Sequence, residues 1–186
     1  GTNMSRRIFH STIHLLTCLL GLAAVTLGAQ ADELSSLVEQ RLHYMKDVAA
    51  YKWQHNLPIE NLDREQVVLA RAVQQGLRYG LRQEGSQQFF EVQIKAAKEI
   101  QRYWFGQWRR QPEAQIPNAP DLARDIRPAL ILLGDQITVA LAHTGAELAT
   151  LDVSGLSRAT AIELGHAASA VALYANRLTQ ILDSGV

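Results

Sequence analysis

The stretch LVEQRLHYMKDVAAYKW, Leu37 to Trp53, decides how the rest of the chain is read. Wound at about 100° per residue, it brings Val38, Met45 and Val48 into line with Leu34, and the same stripe carries Arg41 and Lys52. Glu39, Gln40, Lys46 and Asp47 point elsewhere, as a solvated face requires. Arg41 and Lys52 are 11 residues apart, which is three turns with an offset of about 20°, so both side chains leave one face in mid-helix. A buried cation without a partner is costly, and arginine cannot escape by losing its proton. The partner is a buried acid or an anionic ligand. Because Glu39 and Asp47 face away, the balance favours the ligand.

A later segment repeats the anomaly. Phe90, Ile94, Ala97, Trp104 and Trp108 fall on one helical stripe with Gln101 in its middle. Taken alone, such an amide reads as a core group bonded to nearby backbone. Arg64 in NLDREQVVL and Arg127 in DIRPALILL each read singly as surface residues. Together with Arg41 and Lys52 they could supply guanidinium forks and an ammonium to a compact dicarboxylate held between helices.

The surrounding chain is all-α in pattern: Ala- and Leu-rich, with a 3.6-residue period and no strand-like alternation. Five main helices are expected in one bundle, over about Leu34–Asn56, from Asn61 or Asp63 to about Gly85, Ser86–Arg110, Asp121–Thr144 and Ser157–Asp183. Pro128 marks a kink or a helix start within the fourth. The segment QPEAQIPNAP, Gln111 to Pro120, is the clear loop. Phe89 and Phe105 lie off the apolar stripe of the third helix and are expected at its surface, available to an interface.

Before this domain stands a different kind of segment. Gly1 to Asn3 read as a cloning remnant; Arg6 and Arg7 then precede the 13-residue apolar run Leu15–Leu27, closed by Ala29-Gln30-Ala31. That order describes a secretory signal peptide, too short for a membrane span, and predicts a periplasmic or secreted domain over residues 32–186 with no membrane association. Its 155 residues suffice for one sizeable core. With 16 cations against 18 acids it has no basic excess to attract nucleic acid, and the lone Cys18 leaves with the leader, so packing alone must hold the fold. Metal chemistry is not expected. ELGH, Glu163 to His166, has a Glu-x-x-His spacing, but a second copy and two more inward carboxylates are missing.

RLHYMKDVAAYKW, LPIENLDRE and FFEVQIKAAKEIQRYWF followed by QW resemble the secreted, gamma-type members of the all-helical chorismate mutase family. The likeness covers most of Leu34 to Trp108, with LARDIRPAL matching by position beyond it, and the spacing Arg41, Lys52, Arg64 is its most specific part. It implies a site within the bundle that turns chorismate into prephenate without metal or cofactor, in a chain that forms a homodimer. Arg41 and Arg64 would pair with the two substrate carboxylates, joined by Arg127. Lys52 and Gln101 would meet the ether oxygen from opposite sides, and Glu65 the ring hydroxyl. Asn61 stands where relatives often have Asp, and Ala97 where several have Ser or Thr. A lyase acting on isochorismate, or an exported binding or sensor module for a dicarboxylate, would share the same clamp.

Overall fold

In the computed structural model the described residues are 33–113, 115–144 and 148–183, with only the backbone described for 144 and 172–183. The leader through Ala31, with its cleavage site and Cys18, lies outside them. Every regular element described is helical: α1 (33–54), α2 (Leu62–Arg78), α3 (Gln83–Arg110), a wide π-type turn (Leu122–Ile126) continuing into α4 (Arg127–Thr144), and α5 (Arg158–Asp183).

The central helix is α3, which packs against both α2 and α5. It therefore has two apolar faces. Phe90 and Ala97 belong to the expected stripe, while Phe89, Val92, Ala96 and Ile100 form a second buried set. Phe89 is fully buried, against the expectation of a surface position, because a helix enclosed on both sides needs more than one stripe. Phe105 is half-buried and packs edge-on against Trp53, in a small aromatic cluster with Trp104 and Trp108. The first turns of α1 are docked to the segment before α5: the Ala149 N–H donates to Ser35 Oγ at 2.8 Å and the Asp152 N–H to Glu39 Oε1 at 2.9 Å.

The boundary between α2 and α3 falls earlier than Gly85. The Leu81 N–H donates to the Gly76 carbonyl (2.9 Å) and the Gly80 N–H to that of Leu77 (3.2 Å), with Gly80 at a φ of 78°. This left-handed closure at a glycine satisfies the last carbonyls of α2 and lets α3 begin at Gln83. Asn61 caps the other end of α2, its Oδ1 accepting the Arg64 N–H at 2.9 Å.

Pro128 makes both a start and a distortion. Its ring would collide with the carbonyl four residues back in a regular helix. The chain instead opens the preceding turn: the Ile126 and Arg127 N–H groups reach five residues back, to Asp121 and Leu122. Asp121 Oδ1 accepts from the N–H groups of Ala123 (2.9 Å) and Arg124 (2.7 Å) and fixes where the turn begins.

Where α2 meets α3 the backbones come close. A Cβ on Gly76 would stand 2.2 Å from Ser86 Oγ and 3.0 Å from Ser86 Cβ. Gly76→Ala should therefore cost about 1–3 kcal/mol, the scale of an overpacked core. Adding Ser86→Gly should recover part of the loss in thermal unfolding; equal melting temperatures for Gly76→Ala and the wild type would show that the helices separate freely there.

Candidate functional site

A cavity of about 450 Å³ opens between α1, α2, α3 and α4. Arg41, Lys52, Asn61, Arg64, Glu65, Ala97, Gln101 and Arg127 all line it, so the structure brings together every residue that the family resemblance implies for the site. They come from four separate segments. Helix α1 supplies Arg41 and Lys52 from its buried stripe, α2 supplies Arg64 and Glu65 from its capped first turn, and α3 supplies Ala97 and Gln101 one turn apart. Arg127 is delivered by the widened turn before Pro128. Met45, Val48, Phe90, Ile94 and Leu130 provide apolar walls.

The cations are crowded and uncompensated. Among the described residues no carboxylate lies within ion-pair distance of Arg41, Lys52, Arg64 or Arg127. Arg41 is 6% exposed and its Nε has no hydrogen-bond partner. Burial first, and the nearby Arg64 second, lower its pKa to about 10. Burial also lowers Arg64, with Arg127 adding to the effect. Lys52 donates to the Ile59 carbonyl at 2.5 Å, and its pKa falls to about 8. Burial is the main cause; Glu65 opposes it, and Arg127 and Lys98 reinforce it. Glu65 and Asp135 also line the pocket but are ion-paired to Lys98 and Arg71, so positive charge is left over for an anion.

Gln101 is 4% exposed. Its Nε2 donates to the Ala97 carbonyl at 3.1 Å and approaches Met45 Sδ at 3.8 Å, while its Oε1 is buried without a partner. The amide thus has the backbone contact of an ordinary core glutamine and an unused polar end as well. Ala97, one turn before Gln101, adds a methyl group and no polar atom to this wall.

Two groups at the cavity were not foreseen. Lys98 donates to Glu65 at 3.0 Å and to Glu60 at 3.1 Å, tying α3 to the start of α2. Lying beside Ala97 and three residues before Gln101, it sits at the edge of the same helical face, a position that could have marked it. Arg71 on α2 forms a fork with Asp135 on α4, at 3.0 and 2.6 Å. These partners are 64 residues apart, and nothing local in the sequence pairs them. Glu163 of the ELGH segment is engaged elsewhere, with Lys95 on α3.

Comparison with known proteins places the chain by family and fold. The family model for chorismate mutase type II matches residues 31–102. The chain is 35% identical over 112 residues to a monofunctional chorismate mutase of Enterobacter agglomerans, and 40% identical over 84 residues to a secreted chorismate mutase of Yersinia pestis. These segments are 59% and 45% of this chain, and they span 60% and 45% of the relatives' own lengths. The crystal structure of secreted chorismate mutase from Yersinia pestis superposes with a TM-score of 0.66 at 30% identity, covering 73% of this chain and 94% of that one. A chorismate mutase from Burkholderia phymatum gives 0.57 at 34% identity, covering 61% and 71%. With a shared all-helical fold and sequence likeness across most of those solved chains, the protein belongs to the chorismate mutase family.

Proposed function

We propose that this chain is an exported chorismate mutase that rearranges chorismate to prephenate. The observation that carries the reading is the set of four cations around one cavity with no carboxylate among the described residues in ion-pair reach. A compact dianion supplies the missing charge. In this reading Arg41, Arg64 and Arg127 hold the two carboxylates and so fold a flexible side chain over the ring, which removes orientational freedom before the reaction begins. As the carbon–oxygen bond breaks, negative charge grows on the ether oxygen, where Lys52 and Gln101 donate. Gln101 does this by releasing the Ala97 carbonyl or turning its amide over. Glu65 accepts the ring hydroxyl, and Asn61 and Ala97 shape the wall around it. An intramolecular rearrangement asks for no nucleophile, metal or organic cofactor.

The names of the relatives from Yersinia pestis and Mycobacterium tuberculosis, both secreted chorismate mutases, support export, as does the leader closed at Ala31. A homodimer would join copies outside the cavity, since one chain supplies all eight site residues, and activity per chain should not change on dilution. The direct test is incubation of the purified chain with chorismate, following prephenate by mass. Prephenate without pyruvate release supports the mutase; pyruvate from isochorismate would make the protein a lyase, and tight binding without turnover a sensor.

Arg41→Met and Arg64→Ala should each lose about 2–5 kcal/mol of transition-state binding, as truncated buried charge contacts do. A cation whose pKa is lowered by folding destabilises the empty fold at every pH below that pKa. Arg41→Met should therefore melt higher than the wild type while losing activity. Near-normal kcat/KM in either variant would remove these arginines from the site.

The pH dependence follows from Lys52 and Gln101. In the empty site Lys52 is protonated below about pH 8, so kcat/KM should be level from about pH 5 and fall above about 8. The bound dianion raises Lys52 again, so kcat should stay level further into the alkaline range. Gln101 donates at every pH, whereas Gln101→Glu donates only when protonated and should shift activity toward acid. Gln101→Leu should lower kcat about a hundredfold throughout, the scale of one preorganised donor. A Gln101→Glu enzyme indifferent to pH would leave Gln101 as a core amide.

A further inference from the structure

The cavity contains an acid as well as its cations, and how that acid is restrained bears on the chemistry. Glu65 is four-fifths buried in the cavity wall and is the group that most strongly favours the charged form of Lys52, yet it makes no ion pair with it. It is bonded instead to Lys98, at 3.0 Å, whose side chain is 19% exposed. Lys98 also holds Glu60 at 3.1 Å, next to Ile59, whose carbonyl accepts from Lys52 at 2.5 Å. Two lysines from two helices thus clasp one short loop, and one of them also holds the mostly buried Glu65 carboxylate. The groups facing Lys98 are Glu65 from α2 and Glu60 from the loop; those facing Lys52 are Glu65, Arg127 at the first position of α4, and Lys98 itself.

We propose that Lys98 is a positioning residue that holds Glu65 against the α3 side of the cavity, so that the carboxylate is set for the ring hydroxyl and does not capture the Lys52 ammonium needed at the ether oxygen. The inference rests on the mutase reading and extends it to a residue outside the reacting shell. Without Lys98, Glu65 is left with Lys52, the other lysine whose charge it already favours. A carboxylate paired with that ammonium withdraws it from the reaction, and the positive charge delivered to the ether oxygen is partly cancelled. The loop also loses one of its two anchors.

A double-mutant cycle with pH profiles tests this. Lys98→Met should lower kcat about tenfold, part of the cost of losing one preorganised donor, and move the alkaline fall of kcat/KM to higher pH, since Lys52 loses a repulsive neighbour and gains a closer acid. Lys98→Arg should restore both. In a Glu65→Gln background, where no carboxylate is left to capture Lys52, Lys98→Met should cost less than about twofold, a non-additive cycle that a purely structural lysine would not give. An unchanged kcat in Lys98→Met, an unmoved alkaline fall, or strictly additive losses would overturn the assignment while wild-type turnover stands. If the wild type makes no prephenate, the mutase reading itself fails, and the positioning role with it.

Discussion

The constraint on which this structure depends is the burial of positive charge that the protein does not neutralise. Arg41 and Lys52 occupy positions of α1 that packing alone would give to leucine, and Arg64 and Arg127 are brought up to them from two other segments. Buried Arg41 above all makes the empty fold less stable than an apolar residue there would. The rest of the molecule supplies compensation: a long α3 buried on two faces, an aromatic cluster around Trp108, and a glycine-to-serine approach that draws α2 onto α3. With no cysteine among the described residues, these packing contacts carry the load without covalent help.

The acids are disposed with matching economy. Glu60 and Glu65 are bound to Lys98, and Asp135 is bound in a fork to Arg71. Carboxylates near the cavity are thereby kept from the four free cations, and the field in the pocket stays positive where an anion would enter. The separation is geometric: each acid is held by a cation on the cavity's border.

What could be read in the sequence was whatever repeats along one helix. Arg41 and Lys52 betray themselves because their stripe is otherwise apolar, and Gln101 because its neighbours one turn away are buried; neither inference needs the tertiary fold. The places where that reasoning failed have physical causes. Phe89 looked peripheral because one stripe was assumed, whereas α3 lies between α2 and α5. Two glycines, Gly80 and Gly85, offer an end for α2 in the sequence, and only the left-handed backbone at Gly80 distinguishes the one that closes it. Lys98 and the Arg71–Asp135 fork depend on contacts between residues 33 to 64 apart, which periodicity cannot register.

The widened turn at Leu122–Ile126 separates two parts of the chain that would otherwise be mechanically joined. Because Asp121 closes the turn with its own side chain and Pro128 sets the frame of α4, the position of Arg127 is fixed locally. Among the described residues, the loop before it is pinned from Ile116 onward, by packing on the Trp108 cluster and by the bond from Gln54 to the Pro117 carbonyl. Its first residues, Gln111 to Glu113, are exposed and carry no part of the cavity. That short stretch is the natural attachment point on this protein, where an inserted epitope or a surface linker could be accommodated without a change of geometry at the arginines.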